Sequence, residues 1–204
     1  MEKLHVAVVA NQPYHLAGTL DCNASVKAAQ FIQFCDGFNI PIISFVDVPG
    51  FLPGINQERQ GIIRHGSKML FAYANAATIK ITILLRKAYG GAYIAMCSKH
   101  LGADSVYSWP HAEIAVLGAE SAVSIIHRKE LSKLPENERT EKRQIYINEY
   151  KEKYMNSMLA MKEGYIDEEI QPNETRNILI NDLNSFADKK SYIILNKKHG
   201  NITL

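Results

Sequence analysis

The stretch that decides the fold runs from Ile79 to Tyr93 and reads I-K-I-T-I-L-L-R-K-A-Y-G-G-A-Y. Its first part alternates in polarity, so one face of a half-buried strand carries four apolar side chains, Ile79, Ile81, Ile83 and Leu85. After Gly90 and Gly91, the run Ala92–Cys97 is typical of a buried helix. The sequence therefore predicts a strand that turns into a helix at two adjacent glycines.

This strand-to-helix turn has two interpretations. Because Gly90 and Gly91 carry no side chain, a ligand can approach the backbone there. The first N–H groups of a helix are unpaired and carry a partial positive charge. Together these features describe an oxyanion hole. The alternative is a glycine pair that only lets the helix pack closely on the strand.

Strands and helices alternate along the rest of the chain. Strands are predicted at Val6–Ala10, from Pro41 through Phe45, at Asp104–Trp109 and at Ile114–Leu117. Two early helices are indicated by apolar residues at helical spacing: Ala24, Ala28, Phe31, Cys35 and Phe38 in the first, and Ile62, Gly66, Met69, Tyr73 and Ala77 in the second. Later helices are predicted near residues 119–127 and 175–189. The βαβα order implies a parallel sheet with helices outside it.

The segment Glu130–Tyr154 is dominated by Lys, Arg and Glu. It keeps one apolar stripe, formed by Ile147, Tyr150, Tyr154 and Met158. Such a helix either packs this stripe on its own domain, with a solvated outer face, or docks it on a neighbouring subunit.

Composition limits the function classes. With 204 residues and 47% apolar content, one domain over residues 1–204 buries roughly two-thirds of the surface of its unfolded chain. A net charge of +2 gives no reason to expect nucleic acid or a lipid surface as partner. No apolar run approaches the roughly 20 residues of a membrane helix, and the amino end lacks a signal-peptide pattern. The expectation is a soluble, intracellular protein.

The cysteines do not indicate a disulfide framework or a metal site. Cys22, Cys35 and Cys97 are odd in number, and no two form a CxxC pair. Cys97 has two interpretations, a small buried residue or a nucleophile, and its place behind the glycines favours the first.

Four motifs in fixed order resemble one known family. They are F-V-D-V-P-G-F-L-P-G at 45–54, G-I-I-R-H-G at 61–66, R-K-A-Y-G-G-A-Y at 86–93 and W-P-H-A-E-I-A-V-L-G at 109–118. From about Val8 to Gly200, the chain resembles the C-terminal, biotin-side domain of the carboxyltransferase subunit of biotin-dependent acyl-CoA carboxylases and decarboxylases. Propionyl-CoA carboxylase β-subunits, transcarboxylase and methylmalonyl-CoA decarboxylase belong to this family. The resemblance implies an α/β fold of the crotonase type, in which ββα units wind as a superhelix.

The resemblance also implies a reaction and a site. The family transfers CO2 between carboxybiotin and the α-carbon of a short acyl-CoA, of the propionyl- or methylmalonyl-CoA class. The catalytic groups it implies are the backbone amides of Gly91 and Ala92. The implied biotin site comprises Tyr89, Gly90, Gly91, Ala92, Tyr93 and Ile94. Tyr89 and Tyr93 either wall the biotin slot or belong to the core, and Ile94 is expected to influence acyl selectivity.

Partners follow from the same resemblance. They are a biotin carboxyl carrier protein and an N-terminal carboxyltransferase half or full-length subunit, in a homo- or hetero-oligomer without nucleic acid or membrane insertion. Family subunits are more than twice as long, so we expect a split-gene subunit or a fragment that holds half of a shared site. The expected location is the cytoplasm, or the mitochondrial matrix in a eukaryote.

Three alternatives remain beside this interpretation. The chain is a decarboxylase subunit, or it is a non-catalytic binding or assembly module. The third is a crotonase-type hydratase, which needs two glutamates as acid and base. The matching positions here are Tyr93 and Glu113, so one carboxylate is missing and hydratase chemistry is disfavoured. A structural role is expected for Glu113 and for His65.

Overall fold

A computed structural model describes residues 4 to 189 of the protein. The Lys197–Gly200 part of the resemblance lies outside the described residues. The strands are β1 Ala7–Ala10, β2 Ile42–Val48, β3 Lys80–Tyr89, β4 Ser105–Ser108, β5 Glu113–Ala115 and β6 Glu168–Glu169.

Helices separate most of these strands. They are α1 Cys22–Gly37, α2 Ile55–Gln60, α3 Ile62–Asn75, α4 Gly90–Ala95, α5 Ala119–Ile126, α6 Arg128–Leu131, α7 Glu136–Tyr154, α8 Ser157–Lys162 and α9 Thr175–Ser185. None of the helices between residues 4 and 189 is both long enough and apolar enough to cross a membrane.

All strand pairs in the described sheet are parallel, as the βαβα order predicts. The strand order is β1-β2-β3-β4-β6, and β5 also pairs with β3. The long strand β3 changes its partner halfway: Ile81–Leu84 pair with β4, whereas Lys87–Tyr89 pair with β5. The carboxyl end of β3, which leads into the glycines, is therefore held between β2 and β5.

Strand β3 is buried on both faces, so the prediction of a half-buried strand is wrong. Ile79, Ile81 and Ile83 share a cluster with Leu183 of α9, as their alternation predicts. On the opposite face, Leu84 packs in the core with residues of α1 and α3. Helices thus cover both faces, which is the usual arrangement of a parallel sheet.

Two polar residues at the start of β3, Lys80 and Thr82, are buried, and each has hydrogen-bond partners. The ammonium of Lys80 donates to the carbonyl oxygens of Tyr73 at 2.8 Å and Leu101 at 3.0 Å. The hydroxyl of Thr82 donates to the carbonyl oxygen of Cys97 at 2.6 Å. Burial lowers the pKa of Lys80. These bonds tie the start of β3 to the end of α3 and to the segment after α4.

The predicted apolar face of α1 is only partly buried. Cys35 is buried, and Ala24 and Ala28 pack against the core, but Phe31 and Phe38 are 41% and 68% exposed. The buried residues of the helix also include Ser25, Ala29, Ile32 and Asp36. Two of these inward residues are polar and hydrogen-bonded, since Ser25 Oγ donates to Asp21 O and Asp36 accepts from the N–H of Ala77. An apolarity pattern alone therefore locates the buried face only approximately.

Element ends also differ from the prediction. The helix after the glycines ends at Ala95, and Cys97 lies beyond it with a φ of 70°. Cys97 is fully buried, and burial raises the pKa of its thiol to about 12, so it is a core residue. The charged segment is divided between α6 and α7. The prediction of one domain over residues 1–204 stays a prediction.

Candidate functional site: the glycine turn and its cavity

The two glycines of the turn have different surroundings. Gly90 has a φ of +57°, and a Cβ placed on it would lie 2.9 Å from the carbonyl oxygen of Val116. A Cβ on Gly91 would meet no atom within 4 Å. Gly90 is therefore required by the backbone and by close packing, whereas Gly91 leaves its backbone open.

A cavity of about 640 Å³ lies beside these glycines. This volume is within the range of small-molecule sites. From the turn it is lined by Gly90, Gly91, Tyr93 and Ile94. Four of the six predicted biotin-site residues therefore line one cavity, and their assigned roles stay predictions.

Ala92 and Tyr89 do not line this cavity. The side chain of Ala92 is 1% exposed and packs in the core. Its N–H belongs to the first turn of α4, where a helix supplies no acceptor. Tyr89 is 8% exposed, and its ring packs with Val123 of α5 and Ile147 of α7. Of the two interpretations left open for Tyr89, its position agrees with the core.

Tyr93 combines both interpretations, since it is 6% exposed and also lines the cavity. Its hydroxyl donates to the carbonyl oxygen of Tyr165 at 3.5 Å. Burial raises the pKa of the Tyr93 phenol well above its ordinary value. Tyr93 therefore stays neutral near pH 7 and contributes a hydrogen-bonding wall without charge.

The remaining walls come from the C-terminal half of the chain. They include Tyr150 and Tyr154 of α7, Leu159 of α8 and Tyr165. The rings of Tyr150 and Tyr154 lie 5.1 Å apart, and Tyr165 stacks on His100 at 5.3 Å. We did not predict these walls. The signal available was the stripe on Glu130–Tyr154, because two of its four members face the cavity.

Glu113 lies behind the cavity and connects two of its sides. Its carboxylate accepts a hydrogen bond from the hydroxyl of Tyr89 and forms an ion pair with the ammonium of Lys151 at 3.1 Å. Burial acts to raise the pKa of Glu113, but the bonds from Tyr89 and Lys151 outweigh it, so the pKa is lowered. The structural role expected for Glu113 thus consists of two side-chain contacts.

A second cavity, of about 590 Å³, lies at the carboxyl end of β1. Its lining includes Asn11, Lys27 and Met96. The Asn11 amide is fixed, because it donates to Gly18 O at 3.1 Å and accepts from the N–H of Asp47 at 3.2 Å. None of the predicted site residues lines this second cavity.

Comparison with known proteins defines the class. Residues 1–202 match the carboxyl transferase domain family. The chain therefore belongs to that family, as the motif order predicts.

Its relatives specify the branch. The chain is 54% identical over 199 residues to the carboxyltransferase subunit of propionyl-CoA carboxylase from Haloferax mediterranei, and the match covers 98% of the chain and 38% of that protein. It is 52% identical to the methylmalonyl-CoA carboxyltransferase 12S subunit of Propionibacterium freudenreichii, with coverage of 96% and 37%. Identity to the methylmalonyl-CoA decarboxylase α-subunit of Veillonella parvula is also 52%, with coverage of 98% and 37%. The chain thus spans little more than a third of these relatives.

A solved structure confirms the fold. The transcarboxylase 12S crystal structure, determined with methylmalonyl-coenzyme A and methylmalonic acid bound, superposes with a TM-score of 0.89 at 50% identity. The match covers 98% of this chain and 38% of that one. The crotonase-type fold predicted from the resemblance is therefore confirmed.

Proposed function

We propose that this chain is the biotin-side half of an acyl-CoA carboxyltransferase. In this proposal it takes part in CO2 transfer between carboxybiotin and the α-carbon of a short acyl-CoA, of the propionyl- or methylmalonyl-CoA class. The relatives include carboxylase, transcarboxylase and decarboxylase subunits at similar identity. The proposal therefore concerns the transfer step that these enzymes share.

One observation carries the proposal from the family to this chain. Gly91 lines a cavity of about 640 Å³, and a Cβ on this residue would meet no atom within 4 Å. Packing inside the described chain therefore gives no reason for a glycine at this position. A flat polar group entering the cavity does give one, because only a glycine lets it reach the backbone.

The residues of the cavity fit biotin. When bound, biotin supplies a ureido group that carries CO2. The open backbone at Gly91 is suited to a ureido oxygen, and Ile94, Tyr150 and Tyr154 give the apolar walls that a ring system needs.

The contribution of this chain to the reaction is electrostatic. In the proposal, the N–H groups of Gly91 and Ala92 donate to an oxygen that gains negative charge. Each fixed donor in a dry site lowers the barrier by about 3 kcal/mol. Neither Tyr93, which stays neutral, nor Glu113, which is engaged behind the cavity, is assigned a proton-transfer role in this proposal.

Partners are part of the proposal. The chain spans 38% of the Haloferax mediterranei relative, so an acyl-CoA half must come from another polypeptide or from the rest of a longer one. A biotin carboxyl carrier protein would deliver the carboxyl group, in the cytoplasm or the mitochondrial matrix. The transcarboxylase 12S subunit assembles as a hexamer, and we propose an oligomer here also.

The test is reconstitution. The chain is mixed with a separately produced N-terminal part of the Haloferax mediterranei subunit, and complex formation is verified by light scattering. Carboxybiotin and propionyl-CoA are added, and methylmalonyl-CoA is measured. We expect turnover that requires both halves.

The control is Gly91→Val in the same complex. A valine side chain fills the opening at Gly91, so we expect turnover to fall more than about tenfold, because the donors are then blocked. A verified wild-type complex without turnover contradicts the enzymatic proposal. Biotin binding without turnover would instead support the non-catalytic module.

A further inference from the structure

Glu113 makes side-chain contacts with both the residue before the glycine turn and helix α7. On one side its carboxylate accepts a hydrogen bond from Tyr89, the residue immediately before Gly90. On the other side it pairs with Lys151 of α7 at 3.1 Å. Lys151 lies next to Tyr150 and one turn from Tyr154, both of which line the cavity.

The backbone around Glu113 is fixed by the same strand. Glu113 belongs to β5, which pairs with β3 in the register Lys87↔Glu113 and Tyr89↔Ala115. The segment Ile114–Val116 that follows Glu113 lines the cavity. Through the backbone of β5 and its own carboxylate, Glu113 therefore joins the strand that leads into the glycine turn to the helix that carries Tyr150 and Tyr154.

The stability of the fold depends little on the ion pair between Glu113 and Lys151. The side chains of Lys151 and Glu113 are 44% and 29% exposed, and pairs this accessible contribute little to stability. Glu113, Tyr89 and Lys151 do not line the cavity. A direct catalytic role for any of the three is therefore disfavoured by geometry.

We infer that Glu113 is a positioning residue that sets the width of the cavity between Gly91 and the Tyr150–Tyr154 wall. The expected consequence is an effect on the binding of the carboxyl donor, and this part of the inference rests on the proposed function. A misplacement of about 1 Å in such a site lowers the rate strongly, because near-attack geometry is lost.

The first experiment uses the reconstituted complex with three variants, Glu113→Gln, Lys151→Met and the double variant. Either single change removes the ion pair between Glu113 and Lys151, so we expect each to raise KM for carboxybiotin by about tenfold, with KM for acyl-CoA unchanged. The double variant should raise KM for carboxybiotin no more than the more severe of the two single variants does. Glu141→Gln, an exposed carboxylate of α7, is the matched control and should match the wild type.

The second experiment measures amide hydrogen exchange in the isolated full chain. Exchange in peptides that cover residues 89–94 and 150–154 should rise in each of the three variants and stay unchanged in Glu141→Gln. Additive effects on KM, a loss in kcat alone, or unchanged exchange in both peptides would overturn the inference. If the wild-type complex does not turn over, the proposed function fails, and hydrogen exchange still decides the role of Glu113.

Discussion

Gly90 and Gly91 are adjacent, but a side chain would meet different surroundings at the two positions. At Gly90 a Cβ would lie 2.9 Å from the carbonyl oxygen of Val116, whereas at Gly91 it would meet nothing within 4 Å. The sequence alone suggested packing and ligand access as alternatives for the pair. In the structure Gly90 serves packing, and Gly91 is the open position.

This difference predicts unequal effects of substitution on stability. Gly90→Ala should lower the free energy of unfolding by about 2 kcal/mol, because alanine is strained at positive φ and its Cβ contacts a backbone carbonyl. Gly91→Ala should change it by less than about 1 kcal/mol, since alanine is favourable in a helix. Urea unfolding of both variants measures the two changes in the free energy of unfolding. Equal losses at the two positions would contradict the assignment.

The charge state of Glu113 predicts a pH dependence. Its pKa in the folded protein is lowered by Tyr89 and Lys151 against the opposing effect of burial. The charged carboxylate therefore stabilises the fold above its ordinary pKa of about 4.3, and this contribution is lost as the pH falls through the lowered folded value. The stability gap between the wild type and Glu113→Gln should be constant between about pH 5.5 and 7 and narrow toward pH 3. Urea unfolding across this range tests it, and a gap that does not narrow as the pH falls would contradict the prediction.

At the scale of elements, Asp36 connects the end of α1 to the start of β3. Its side chain is fully buried, and one oxygen accepts from the N–H groups of Ala77 at 2.8 Å and Thr78 at 2.9 Å. These residues follow α3, so one carboxylate joins two helices to the central strand. Asp21 has a smaller role, as the N-cap of α1 that accepts from the N–H of Ala24.

Substitution of these two aspartates should separate the two roles. Asp36→Ala leaves two buried N–H groups without that acceptor, and we expect a loss of about 3 kcal/mol in the free energy of unfolding. Asp21→Ala removes a helix cap and should cost about 1 kcal/mol. Thermal or urea unfolding of the two variants gives the comparison. The prediction is wrong if Asp36→Ala costs no more than Asp21→Ala.

The sequence predicted the presence of helices and strands better than it predicted their buried faces or their ends. The alternation in Ile79–Leu85 identified the face of β3 that packs under α9, but not that Leu84 is buried too. The inward face of α1 was located only approximately because Ser25 and Asp36 are buried through hydrogen bonds. The periodicity of a sequence shows which positions are apolar. It does not show which polar residues find hydrogen-bond partners in distant parts of the chain.

The candidate site was predicted in part for the same reason. Local motifs identified Gly91 and Ile94 at the cavity. The walls from Tyr150 and Tyr154 lie more than fifty positions further along the chain, so only the fold brings them to the turn. The contact of Glu113 with Lys151 likewise depends on how α7 packs against β5.

At the scale of the whole molecule, exposed apolar side chains indicate an interface. On α3, Ile63 is 86% exposed and Phe71 is 45% exposed. Val116, at the mouth of the cavity, is 78% exposed. Exposed apolar residues on one helix and beside the cavity are typical of a surface that contacts another chain.

We predict that the chain is oligomeric, by pairing with itself or with the missing half. Obligate interfaces of this kind exceed roughly 2,000 Å². Light scattering at tens of micromolar should show a mass above that of one chain, and Ile63→Asp should lower it. Ile180→Asp on α9 is the matched control. A monodisperse monomer, both alone and with the acyl-CoA half, would contradict the prediction.

The position of β3 in a fully parallel sheet also has a kinetic consequence. None of the strand pairs that β3 forms is a hairpin. Its parallel pairing with β2, β4 and β5 therefore joins segments that are distant in the chain. Such non-local topologies fold slowly, on the order of milliseconds to seconds. Until β4 and β5 have docked, one edge of β3 stays unpaired. Aggregation competes with folding at that stage, and it does so at the strand that later presents the glycines to the cavity.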